Sequence, residues 1–153
     1  MATGMSGMAN SQIRRAMRRV RNFLGVFAAN ENPLNRIKSF PCCFIMNSES
    51  IHTDGHWLAF YLLSPRRLEF FDSLGFPLSH YSLVASYFTH FTSIIHSTSF
   101  LQTSKSPLCG EYCIAFLHLR SIPHRLRFSH IISYLLHKNN SCDSFVSRFG
   151  LFK

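Results

Sequence analysis

Hydrophobic and polar positions along the chain follow two rhythms. Between residues 11 and 24, Ile13, Met17, Val20 and Leu24 recur at helical spacing, with Arg14, Arg15, Arg18, Arg19 and Arg21 on the other side. That pattern predicts an amphipathic helix with Ser11 as its candidate N-cap, after a small, polar and disordered start over residues 1–11. A turn-rich stretch, AANENPLNRIKS, leads to three apolar runs: PCCFIMN, HWLAFYLL and LEFFD, the last two separated by the turn signal SPRR. Their alternation is too weak for a sheet with one wet face, so they predict a compact three-stranded centre covered on both sides. SHYSLVASYFTHFTSII places Leu83, Tyr87, Phe91 and Ile94 on one side and predicts a helix, and SFLQ predicts a short strand. Residues 109–120 predict a largely buried helix and residues 128–136 another, with Pro123 marking the break. No internal repeat or low-complexity tract interrupts this order. The predicted fold class is α+β, a small central, mostly antiparallel sheet flanked by helices.

Composition changes this picture only at the margins. The chain has 153 residues, 46% of them hydrophobic and 16 of them Phe, which suits one domain with a core that needs no disulfide staples. Five cysteines, Cys42, Cys43, Cys109, Cys113 and Cys142, form an odd set at odds with a secreted disulfide framework. The start MATGMSGMANSQIRRAMRRVRN puts arginines where a secretory signal would be apolar, and no run approaches the ~18 apolar residues of a membrane span. An intracellular, reducing setting in which a thiol stays free is therefore expected, with no secretion and no membrane partner. A formal charge of +9 favours polyanions or an acidic partner, and the arginines at 14, 15, 18, 19 and 21 are the candidate nucleic-acid contacts. The alternative is a solvated basic face on a helix that packs on the domain.

Three ordered motifs carry the candidate chemistry: GHWLAFY with His56, FFDSLG with Asp72, and LQTSKSPLCGEYCIAFL with Gln102 and Cys109. A thiol attacks as thiolate, and both a helix start and a neighbouring imidazolium favour that charged form. Cys109 stands where the loop SKSP gives way to the apolar helix, and Gly110 lets backbone approach closely and expose an N–H. His56 opens one strand and Asp72 ends the next, so an antiparallel pair can bring the carboxylate to one ring nitrogen. The Gln102 amide can donate to a developing oxyanion. Singly, each residue has an ordinary explanation: a strand-edge histidine, a turn-forming Asp-Ser, a core cysteine. The ordered conjunction of all of them is harder to explain that way.

These blocks resemble the adenovirus-type (adenain-like) cysteine proteases and, more distantly, the SUMO-specific proteases of the same clan. FLGVFAANENPLNRIKSFPCCFIMNSESIHTDGHWLAFYL is similar to the family's opening, FFDSLGFPL to its acidic strand, and LQTSKSPLCGEYCIAFLHL to its Gln, Cys-Gly and Cys-helix signature. The resemblance runs from about Phe23 to the end. It implies a basic N-terminal segment over 1–22 ahead of a cysteine protease domain over 23–153. It implies Cys109 as nucleophile at the start of a buried helix, His56 as base and acid, Asp72 as its orienting carboxylate, and Gln102 with the Cys109 N–H as oxyanion donors. Trp57, beside Gly110 in substrate binding, would wall a narrow groove for small, Gly-containing sites. The implied role is an endopeptidase processing protein precursors of a virus or virus-like mobile element, for instance capsid proteins. Such an enzyme is expected to be a monomer in the host nucleus or cytoplasm or packaged in virions. No cofactor or metal is required, while DNA or a peptide could activate it.

The chain departs from the adenovirus enzymes in using Asp for Glu, as the SUMO proteases do, and in a shorter spacer between acid and nucleophile. The order His, Asp, Cys is opposite to papain. A zinc site lacks any CxxC pair with matching histidines, and PLCGEYC has the wrong spacing for a deaminase. The remaining alternative is a catalytically silent adenain-like module that binds nucleic acid or a capsid partner.

Overall fold

The run CCFIMN contains no polar residue before its final Asn because both of its faces are covered. In the computed structural model, which describes residues 7–50, 55–102, 107–122 and 126–137, it forms the second strand of a five-stranded sheet. The strands are β1 (Phe23–Phe27), β2 (Cys42–Asn47), β3 (Trp57–Ser64), β4 (Arg67–Phe71) and β5 (Ser93–His96), in that spatial order. Period-two alternation along β2 sends Cys43 and Ile45 into one layer and Cys42, Phe44 and Met46 into the other. The first layer also holds α1 (Asn10–Met17), α3 (Cys109–Arg120) and α4 (Phe128–His137). The second is an aromatic stack of Phe44, Phe60 and Phe88, with ring centroids 4.9 and 5.0 Å apart, closed by Leu78, Val84 and Phe91.

The predicted three-stranded centre is present, and α+β is the fold class. β2 pairs antiparallel with β3 from Asn47↔Trp57 onward, and β3 with β4 through Ala59↔Phe71 across the tight turn at Pro65–Arg66. The sheet is mixed rather than mostly antiparallel, because β1 joins β2 and β5 joins β4 in parallel. Each parallel edge needs a crossover. The first carries the 3-10 turn Pro33–Arg36, and the second carries the one-turn helix α2 (Ser82–Ala85) and the 3-10 turn Ser86–Phe88.

Here the predicted helix over SHYSLVASYFTHFTSII is corrected. Short helical turns run only as far as Phe88, and Ile94 lies on β5 with Leu83 exposed; Val84, Phe88 and Phe91 are the buried residues. The β-branched Thr92, Ile94 and Ile95 suit an extended chain, and the open edge of β4 supplies the hydrogen bonds that a helix would have made. SFLQ is not a strand either: the Leu101 and Gln102 N–H groups both donate to the Ser73 carbonyl. β1 is a strand that no pattern in FLGVF announces. The first helix starts at Asn10, not after a Ser11 cap, with the Ala9 N–H donating to Gln12 Oε1 at 2.7 Å. Within the start expected to be disordered, Gly7 and Met8 pack in place, and residues 1–6 lie outside the described residues. Ile13, Ala16, Met17 and Val20 bury against α3 and the sheet, so α1 is part of the common core.

Candidate active site

Helix α3 and strand β4 run in opposite directions in matched step. Phe116 stacks on Phe71 at 4.6 Å, and Arg120 grips Glu69 with Nε–Oε1 2.6 Å and Nη2–Oε2 3.1 Å. Four helical residues and two strand residues each advance about 6–7 Å. Continuing the helix from Phe116 back to Cys109 carries it roughly 10 Å past Phe71, to the end of the sheet. At that same end β3 begins and β4 finishes, so His56 and Asp72 meet there by topology.

His56 is held by its backbone, which donates N–H to Ser48 Oγ at 2.9 Å and accepts from the Ser48 N–H at 2.8 Å. Its Nε2 lies 2.6 Å from Asp72 Oδ1. Cys109, at the start of α3, is close enough to act on the same ring. Burial alone would lower the imidazole, but the Asp72 hydrogen bond and then Cys109 outweigh it, raising it from 6.5 to about 9. The ring is thereby held as a cation at neutral pH beside a thiol at a helix start.

Asp72 is 1% exposed and fully engaged. Its Oδ1 also accepts the Leu74 N–H at 2.9 Å, and Oδ2 accepts the Tyr81 hydroxyl at 2.5 Å. The Asp-Ser-Leu-Gly turn works because Gly75 adopts φ +78° and donates N–H to the Asp72 carbonyl; a Cβ there would stand 2.9 Å from the Thr98 and Ser99 carbonyl oxygens. Tyr81 stacks near His56 with centroids 6.4 Å apart, and burial followed by its bond to Asp72 pushes its phenol up. No signal in the sequence marks Tyr81, which falls inside the segment whose spacing predicts a helix.

Gln102 is 5% exposed, and the Ser73 hydroxyl donates to its Oε1. That bond orients the side-chain amide, whose nitrogen is the end able to donate. Tyr112 Oη, on α3, donates to the Leu101 carbonyl at 3.0 Å and ties this loop to the helix. Gly110 underlies Trp57, with a Cβ at Gly110 placed 3.3 Å from Trp57 Cδ1. Close approach therefore explains this glycine.

The other described cysteines lie in the two core layers. Burial pushes Cys42 up to about 11 and Cys43 up to about 12, and holds Cys113 well above the ordinary thiol range. Cys142 lies outside the described residues. Among the described residues, no group of three or more His, Cys, Asp and Glu is placed to hold a metal ion, and no helix is long and apolar enough to cross a membrane.

Arg14, Arg15, Arg18, Arg19 and Arg21 are all exposed, away from the His–Asp–Cys cluster in sequence but on or just after the helix packed beside α3. Arg14 is used structurally, donating to Asn10 Oδ1 at 2.6 Å and to the Val26 carbonyl at 3.1 Å. Comparison with known protein families and with curated proteins finds no match to this chain, so what the site can do follows from its own chemistry.

Proposed function

We propose that the chain is a cysteine-type endopeptidase of the adenain-like kind, acting on protein precursors at small, Gly-containing sites. The observation that carries this reading is the Asp72–His56–Cys109 arrangement, with the thiol at the first residue of α3 and the imidazole raised to about 9. In this mechanism the Cys109 thiolate attacks the scissile carbonyl, and His56 protonates the departing amine. His56 then takes a proton from water, which hydrolyses the thioester. Asp72 keeps the ring oriented and stabilises its charge. Gln102 and backbone N–H groups at the helix start serve the oxyanion, a contribution of about 3 kcal/mol per donor. Capsid or core precursors of a virus-like element are the substrate class that the motif resemblance suggests.

The test is labelling by a peptide electrophile ending in Gly-Gly, read by intact mass and peptide mapping, for the native chain and His56→Ala. Modification confined to Cys109 and dependent on His56 is the expected result. Labelling spread over all cysteines, or none, sinks the reading.

A second reading draws on the exposed arginines on and just after α1: a silent module that binds nucleic acid or a capsid partner. It predicts steeply salt-dependent DNA binding without a selectively reactive thiol.

A further inference from the structure

Gly7 and Met8 lie across the candidate site. Trp57 Nε1–H donates to the Met8 carbonyl at 3.0 Å. The Met8 side chain rests on Gly110, where a Cβ would stand 3.1 Å from Met8 Cβ and 3.3 Å from its Sδ. One residue earlier, a Cβ on Gly7 would come within 3.2 Å of the Pro107 carbonyl oxygen. Trp57 directly follows the base and Gly110 directly follows the thiol. Met8 therefore bridges the immediate neighbours of both reactive groups, and a peptide bound for cleavage would have to pass the same indole donor and the same glycine floor.

We infer that Gly7–Met8 is an internal ligand of the peptide cleft, a tethered stand-in that must leave before a glycine-bearing peptide can bind. The inference rests on reading this cleft as the peptide-cleaving site. The contact itself is small: one backbone hydrogen bond and a half-buried thioether, with Gly7 exposed. Its strength comes from the tether. α1 begins at Asn10 and is anchored by the buried Ile13, Ala16 and Met17, so the segment cannot diffuse away. Short tethers give effective concentrations of order mM, so a tethered segment of ~0.1 mM intrinsic affinity weakens any incoming peptide by about tenfold.

Trp57 is the chain's one tryptophan, so its fluorescence reports directly on the Met8 contact. The experiment titrates an acetylated, amidated peptide of residues 3–10 (TGMSGMAN) into three proteins: the full chain, a chain beginning at Ala9 released from a fusion, and full-length Gly7→Leu. The Ala9 form retains the N-cap residue of α1, and Gly7→Leu keeps the whole chain while crowding Pro107, so the result does not hang on one variant folding. Both altered proteins should bind the peptide with a midpoint about tenfold lower than the full chain. Equal midpoints in all three, or no binding to the Ala9 form, overturn the inference. Labelling of Cys109 is followed in parallel. Lowered midpoints with no His56-dependent labelling keep the internal ligand and remove the protease reading. Equal midpoints with such labelling do the reverse.

Discussion

At the scale of single residues, the site is defined by what surrounds one imidazole. His56 has a side chain only 16% exposed and would be neutral if burial acted alone. Asp72 decides otherwise, and Tyr81 and the Leu74 N–H in turn hold Asp72. The folded-state value of about 9 exceeds the unfolded 6.5, so the protonated ring stabilises the fold. That stabilisation is fully present below pH 6.5 and is lost as pH rises through 9, at most about 3 kcal/mol. Urea midpoints of the native chain and His56→Ala should therefore converge between pH 6.5 and 9. A constant gap would show that the ring is not held as a cation. The pairing of His56 with Asp72 is legible in the sequence because each sits at a strand end that its own apolar run announces. Ser73 and Tyr81 are not, since a hydrogen bond to Gln102 or Asp72 leaves no periodic trace in the sequence.

Elements transmit this geometry. The Arg120–Glu69 pair, with Arg120 also 4.3 Å over the Tyr61 ring, fixes how far α3 slides along β4 and so where Cys109 ends. Arg120→Ala leaves the Glu69 carboxylate buried without its partner and should cost about 3–5 kcal/mol in urea unfolding. Replacing both by Leu should recover most of that stability; failure to recover would mean that packing, not charge, is the cause. The Asp72 turn depends on Gly75 in the same way. Gly75→Ala is strained at φ +78° and meets the Thr98 and Ser99 carbonyls, so a destabilisation of about 1–3 kcal/mol is expected. The same variant should lower the His56 titration seen by NMR, because Asp72 shifts with the turn. An unchanged titration would show that Asp72 is positioned by Tyr81 alone.

For the molecule as a whole, the net charge of +9 and the arginines on and just after α1 set its long-range behaviour. Arg15, Arg18 and Arg19 are exposed, whereas Arg14 is partly spent on Asn10 and Val26. Changing those three to Gln should flatten the salt dependence of DNA binding, by up to about 0.9 in slope for each phosphate the arginines no longer neutralise. Arg14→Gln should instead lower stability. If the triple variant keeps the native slope, the basic face is only a solvated surface.

Local residue patterns suffice for the sheet centre, the buried helix that starts at Cys109 and the end of the sheet where His56 and Asp72 meet. Continuous apolar runs, tight turns and a helix start are local properties, and antiparallel neighbours place their ends without further information. The remaining features come from contacts between distant parts of the chain. They added β1 and β5 at the margins, unwound the chain after Phe88 into a strand, engaged Ser73 and Tyr81 around the acid and glutamine, and laid Met8 over Trp57 and Gly110. Each of these depends on an open strand edge or a polar group far away in sequence that needs a partner, and such long-range pairing overrides local periodicity.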